Sequence, residues 1–310
     1  MKAVFLDAST LGDDVTLAPI EAVTGPITCH DRTPPEQVVG RLEGFDTVLV
    51  NKVVLGREHF EACPQLKTIA VVATGLNNID LQAARDHDIQ VLNVTRYGRS
   101  TVAQHTMALI LALATRLLDY DRDVRRGEWG RSEMFCLMHH PIMELEGKTL
   151  GIIGYGDLGQ GVAERAKAFG MNILLGCRPG QAAGEVDGYP RLPLAELLPR
   201  VDVLSLHCLL TDNTRHLIGR EELARMKDSA LIINTSRGGL VDEQALAEAL
   251  RAETIGGAGF DVLTEEPPRN GNPLLADDIP NLIVTPHSAW ASREARQRIV
   301  EITAKNLAAV

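Results

Sequence analysis

Apolar residues fall along this chain in short continuous runs, separated by stretches with the 3.6-residue period of helices. In the first hundred residues the runs are Ala3–Leu6, Thr47–Val50, Leu66–Val72 and Val91–Val94. Pro34-Pro35-Glu36 opens a helix toward Leu42, with proline where its missing N–H does no harm, and Asp80 caps another. Uninterrupted apolar strands alternating with helices predict a small α/β unit built on a parallel sheet. Ser100 or Thr101 then caps a long helix that runs through Val102, His105, Leu109 and Leu113 to about Arg126. Apolar positions nearly surround it, so it is expected to be buried, between two domains. Trp129–Pro141 has no clear period and reads as an excursion that packs on something.

From Thr149 six more strands are expected: Leu150–Ile153, Asn172–Leu175, Val203–Leu206, Leu231–Ile233, Ala258–Phe260 and Leu282–Val284. Helices between most of them fit a doubly wound parallel sheet in the order 3-2-1-4-5-6. Ser292–Ala309 is helical and long enough to leave this domain and pack on the first one. The pattern therefore predicts an α/β protein of two domains. Residues 100–287 form the doubly wound (Rossmann) domain, and 1–99 with 288–310 form the smaller one.

Composition narrows this picture. The 310 residues are 45% apolar and 23% charged, ordinary for a soluble globular chain, and the net charge of −10 argues against a nucleic-acid partner. Five scattered cysteines include no CxxC pair, which fits free thiols in a reducing cytosol. The apolar start is too short for a signal peptide, and Arg116 interrupts the longest apolar helical stretch, so no membrane span is expected and a cytoplasmic location is. His139-His140 could hold zinc, but no third ligand stands nearby at suitable spacing, and no metal is expected.

The strand at Leu150–Ile153 runs into Gly154-Tyr155-Gly156-Asp157-Leu158-Gly159 and then a helix. Such a turn suits a dinucleotide pyrophosphate. Gly154 allows the tight turn, Gly156 lets backbone approach phosphate, Gly159 lets helix and strand pack closely, and the helix N-terminus offers free N–H groups. Ligands of such sheets bind beyond the carboxyl ends of the strands. Arg237 follows the fourth of the six strands, Asp261 and Glu266 follow the fifth, and His287 follows the sixth. These residue types suit reduction of a 2-keto acid. His287 would give the carbonyl oxygen its proton and Glu266 would orient the imidazole. Arg237 would hold the substrate carboxylate and polarise the carbonyl, and Asp261 could fix the nicotinamide carboxamide.

The segments ATGLNNID (73–80), TVAQHTMALILA (101–112), GIIGYGDLGQGVA (151–163), HCLLTDNTRHLI (207–218), INTSRGGLVDEQAL (233–246), GFDVLTEEPP (259–268) and TPHSAWAS (285–292) resemble the D-isomer-specific 2-hydroxy acid dehydrogenases over nearly the whole chain. The resemblance implies an Arg/Glu/His triad at Arg237, Glu266 and His287, beside a smaller flavodoxin-like domain. It also implies that main-chain amides around Thr74, Gly75 and Leu76 receive the substrate carboxylate across an interdomain cleft, with Asn51 near that loop. Further cofactor positions fall on Thr106, His207, Cys208, Thr214, Thr235 and Ser236. A homodimer is implied, with the long helix and the excursion at its interface. Within the family, ATGLNNID, EMFCLMHHP and PHSAWAS look most like the glycerate dehydrogenase (hydroxypyruvate reductase) group, which acts on hydroxypyruvate and often glyoxylate. The alternatives are phosphoglycerate or another D-2-hydroxy acid dehydrogenase, and a non-catalytic NAD(H)-sensing module on the same fold.

Two departures stand out. Leu209 occupies the position where the family usually has proline. An NAD site also wants a carboxylate at the end of its second strand for the ribose 2′-OH. Here Cys177 stands at that place and Arg178 follows. Without the carboxylate nothing repels a 2′-phosphate, and the arginine offers it a partner. The cofactor is thus expected to be NADP or NAD, with NADPH preferred.

Overall fold

The computed structural model describes residues Met1–Val310. The chain divides into two compact units, Met1–Gly98 with Ala291–Val310, and Arg99–Trp290.

In the first unit β1 (Ala3–Phe5), β2 (Thr28–Cys29), β3 (Thr47–Val50), β4 (Thr68–Val71) and β5 (Gln90–Asn93) form a parallel sheet in the order β2-β1-β3-β4-β5. The three central strands are buried along their length, which is why they read as unbroken apolar runs. β2 is an exposed two-residue edge without an apolar signature, and the sequence reading had no strand there. The helix Arg293–Leu307 belongs to this unit. Ser292 caps it by accepting from the Ala295 N–H, Arg296 pairs with Asp14, and the Asn306 side chain donates to the Asn93 carbonyl. Beyond β3 the chain turns over the buried Asp7, whose carboxylate accepts the N–H groups of Asn51, Lys52 and Val53 at 2.8, 2.6 and 3.1 Å.

The second unit holds β6 (Thr149–Ile153), β7 (Asn172–Gly176), β8 (Gly184–Val186), β9 (Tyr189–Leu192), β10 (Val203–Leu206), β11 (Leu231–Asn234), β12 (Gly257–Phe260) and β13 (Leu282–Val284). Their order is β13-β12-β11-β10-β6-β7-β9-β8, all parallel except β8, which runs against β9. This corrects the expected strand count and order. Val203–Leu206, read as the outer third strand, lies directly beside β6, and the outer place goes to β9. The hairpin β8–β9 was missed because Pro190 and exposed polar residues mask its pattern. Its turn was nevertheless written in Asp187-Gly188, both at positive φ (52° and 79°), the dipeptide preferred in tight hairpins. Crossing from β9 back to β10 puts the topological switch between β6 and β10.

The expected long helix is two helices. Arg99–Ala114 is followed by Leu117–Arg125, bent from it by 58°. Arg116 takes left-handed backbone (φ 53°) at the break, and its guanidinium reaches Asp119 at 2.6 Å. Nor do Ser100 and Thr101 cap the first helix, which begins at Arg99; the Thr101 hydroxyl donates instead to the Ala289 carbonyl. No single helix is long and apolar enough to cross a membrane. Helix Arg99–Ala114 is buried on several sides, packing Ile110 and Leu113 into a core shared with Ile152, Val162 and Ile233. Truncating Ile110, which is fully buried, leaves a cavity that its neighbours cannot close. Ile110→Ala should cost about 2–5 kcal/mol, read as a lowered urea midpoint.

Candidate active site

β6 ends in a turn that only glycine can make. Gly154 has φ of 100°, and a Cβ there would lie 2.5 Å from the His207 carbonyl and the Cys208 nitrogen. A Cβ on Gly159 would meet the Gly154 oxygen at 2.2 Å, so strand and helix touch through backbone. Gly156 precedes helix Asp157–Ala168 with no side chain capping its first amides, and the space beside its Cα is open. Next to this turn is a cavity of about 320 Å³, lined among others by Tyr155, Gly156, Arg178, Arg191, His207 and Cys208. Uncapped amides, open space and two guanidinium groups are what an anionic dinucleotide needs, so the residues fit an NAD(P) cofactor. No carboxylate lines the cavity.

Not every expected cofactor residue lines it. Leu158 and Gly159 sit in the helix behind the turn, and Cys177 is buried. Thr214 braces the loop after β10, donating to the Leu209 carbonyl and accepting from the Thr211 N–H. Thr106 and Thr235 pair through their hydroxyls at 3.1 Å, and the Ser236 hydroxyl donates to the Cys208 carbonyl. Gln181 and Arg191, which the sequence reading left out, do line it. Gln181 accepts from the Arg178 N–H, and Arg191 is held by its Nε donating to the Ala182 carbonyl. Recognising the Asp187-Gly188 hairpin would have found Arg191.

Arg237, Glu266 and His287 come from loops at the same end of the sheet, after β11, β12 and β13 respectively. The Nδ1 of His287 lies 2.6 Å from Glu266 Oε2, with the two side chains 33% and 34% exposed. The other Glu266 oxygen accepts from the Leu263 N–H. Burial pushes the Glu266 carboxyl up, but the imidazole contact, the Leu263 N–H and the charges of His287 and Arg237 outweigh it, leaving the group below the usual glutamate range. Glu266 is therefore ionised at neutral pH. Asn234 shapes the turn that carries Arg237, donating to the Arg237 carbonyl and accepting from the Ser236 N–H. At Gly238 a Cβ would lie 2.0 Å from the Leu263 carbonyl carbon, so this turn rests on the backbone leading to Glu266.

His287 has left-handed backbone (φ 52°) and is held in it from below. Its N–H donates to the Asp261 carbonyl at 2.7 Å. The buried Asp261 carboxylate accepts from the N–H groups of Ser288 and Ala289 and from the Thr285 hydroxyl. His105 contacts the same Thr285 hydroxyl. In the first unit the Thr74 hydroxyl donates to the Val94 carbonyl, and Asn93 donates to the Thr74 carbonyl. Gly75 and Leu76 follow in the same loop, and the Asn78 side chain ties it to the Val53 carbonyl beyond Asn51.

His207 lines the cavity as a neutral ring. Its Nε2 meets the Ser205 hydroxyl at 2.8 Å, its Nδ1 is enclosed without a partner, and burial pushes its pKa down to about 4. The unfolded chain takes up this proton near pH 6.5, the folded chain only near pH 4. As pH falls through that window, the unfolded state gains the proton first and stability drops, by up to about 3 kcal/mol. Urea midpoints at pH 7.5, 5.5 and 4.5 should show that slope in the wild type and a shallower one in His207→Gln.

Residues 107–289 match the NAD-binding domain of the D-isomer specific 2-hydroxyacid dehydrogenases. Glycerate dehydrogenase of Methylorubrum extorquens is 43% identical, covering 99% of this chain and 95% of that protein. Hydroxypyruvate reductase of Blautia hydrogenotrophica is 38% identical, covering 99% and 96%. Among solved structures, an acyclic imino acid reductase (Bsp5) in complex with NADPH and D-Arg superposes with a TM-score of 0.83 at 30% identity, covering 97% of this chain and 94% of that one. The matched domain, the glycine turn and the full-length relatives agree: this chain belongs to the D-isomer specific 2-hydroxyacid dehydrogenase family, whose NAD(P)-linked chemistry interconverts 2-keto acids and D-2-hydroxy acids.

Proposed function

We propose that this chain reduces hydroxypyruvate, and glyoxylate as a smaller substrate, to D-glycerate and glycolate, with NADPH preferred over NADH. The observation that carries the chemistry is the 2.6 Å contact between His287 and an ionised Glu266, with the charge of Arg237 close to that carboxylate. The substrate class is supported by the relatives named glycerate dehydrogenase and hydroxypyruvate reductase. When bound, NAD(P)H supplies the hydride that reduces the keto carbon. His287 delivers the proton to the carbonyl oxygen from Nε2, because Nδ1 faces Glu266. Glu266 keeps the ring oriented through its contact with Nδ1. Arg237 holds the substrate carboxylate and draws charge toward the carbonyl oxygen. In oxidation a neutral His287 takes the hydroxyl proton. Asp261, whose carboxylate anchors the His287 loop, is assigned the carboxamide contact as well.

NADPH preference rests on a lining with two arginines and no carboxylate. Arg178 is near enough to the Cys208 thiol for its charge to act against the burial that pushes that thiol up. An arginine on this lining is the partner a 2′-phosphate would need. A homodimer is proposed on the unpartnered apolar surface of residues 117–142, where Leu117, Phe135, Met138 and Ile142 are 58%, 89%, 72% and 63% exposed. We propose a cytoplasmic location for this enzyme.

Each proposal has its own measurement. A panel of hydroxypyruvate, glyoxylate, pyruvate and phenylpyruvate should give the highest kcat/KM with hydroxypyruvate and NADPH; a large preference for NADH would overturn the cofactor assignment. His287→Ala should lower kcat by about 10²–10⁴-fold with the NADPH Kd nearly unchanged, and Glu266→Gln, which weakens the contact that orients the ring, should lower kcat by less. Arg178→Ala should raise the Kd for NADPH more than that for NADH. Light scattering should give a dimeric mass; a monomer would remove the interface.

A further inference from the structure

Outside the active site, one cluster brings three metal-ligating side chains to a point. Helix Leu117–Arg125 carries Tyr120 and Asp123, three residues apart and so on one face. The loop at His139-His140 lies on that face. Tyr120 holds its backbone twice: the hydroxyl donates to the His140 carbonyl at 2.8 Å and accepts from the His140 N–H at 3.2 Å. Asp123 holds its side chains, with Nε2 of His139 and Nε2 of His140 each 2.8 Å from the same oxygen, Oδ2. The Tyr120 ring stands edge-on to both imidazoles, at centroid distances of 5.8 and 5.0 Å.

This convergence is unusual for neighbouring residues. Consecutive side chains in extended chain point to opposite sides. Here the two rings lie 4.3 Å apart and aim the same nitrogen at one atom. The sequence lacks a third ligand near the histidine pair, and the helix supplies it from sixteen residues upstream. We propose that Asp123, His139 and His140 form a binding site for a divalent transition cation, zinc above all, that staples the loop to the helix.

The donor set is two imidazole nitrogens and one carboxylate oxygen, which suits zinc and its neighbours rather than magnesium or calcium. The three ligand atoms already lie within 4.8 Å of one another. Zinc bonds of about 2.0–2.1 Å in a tetrahedron separate ligand atoms by roughly 3.3 Å, so the two 2.8 Å contacts open by only about half an ångström to admit the ion. Binding takes both rings as neutral imidazoles with the proton on Nδ1, so that each Nε2 lone pair faces the ion, and the fourth position is left to water. Asp123 and His140 are mostly buried and His139 is half-exposed. The site is structural and involves no residue assigned to the redox reaction.

Calorimetric titration of the full-length, chelator-treated protein with zinc chloride tests it, with NADPH-dependent turnover measured alongside. The expected result is one saturable equivalent per chain and a Tm that rises with zinc, both abolished in the double variant His139→Ala/His140→Ala. Asp123→Asn should bind at least about tenfold more weakly, and magnesium should produce neither effect. Turnover should persist in all variants, so loss of the metal site and failure of the redox assignment are read separately. Wild-type heat equal to that of the double variant, from adventitious binding elsewhere, would overturn the site. So would the absence of saturable zinc binding, which would leave a purely hydrogen-bonded cluster.

Discussion

The carboxylate of Asp261 is the hinge on which the proposed chemistry depends. It is buried at the end of β12, yet both oxygens are occupied, by two backbone N–H groups and the Thr285 hydroxyl. A buried carboxylate without such donors would be costly, and a loop without such an acceptor would have no reason to take this path. The exchange forces the chain to turn over Asp261 just where His287 sits and makes left-handed backbone acceptable there. The proposed proton donor is therefore placed by an ion it does not touch through its side chain. Glu266 only has to meet a ring already aimed at it.

Charge is unevenly spent. The chain carries a net −10, yet the cavity beside the glycine turn contains two arginines and no acid. A cationic recess in an acidic protein keeps affinity for anionic ligands local and discourages nonspecific attachment to nucleic acid. Neutral His207 belongs to the same arrangement. Burial suppresses its charge, so the positive potential of the recess comes from arginines, which hold their charge at every accessible pH.

What could be read in the sequence follows from what leaves a local mark. Strands buried on both faces, such as β6, β10 and β11, stand out as apolar runs, and the glycine turn follows from backbone sterics alone. The loops bearing Arg237, Glu266 and His287 could be ordered because parallel strands deliver their ends to one edge. Features that depend on exposure or on distant partners were hidden. β8 and β9 are partly solvated and lack alternation. The break at Arg116 depends on a residue whose left-handed backbone no apolar period reports. Asp123 meets His139 and His140 only after that break turns the helix.

The first unit is built from two separated pieces of chain, residues 1–98 and 291–310. Between them lies the whole second unit, which is continuous and holds its own core. During synthesis from the N-terminus the second unit can close as soon as it is made, while the first must wait for its final helix, Arg293–Leu307, and the contacts of Asn306 and Arg296 that come with it. The sheet carrying Asn51 and Thr74 thus remains unfinished longest, although it is made first. Nascent chains interrupted before residue 291 should contain a formed dinucleotide-type core and an incomplete partner unit, open to chaperones and proteases for as long as translation takes to reach the end.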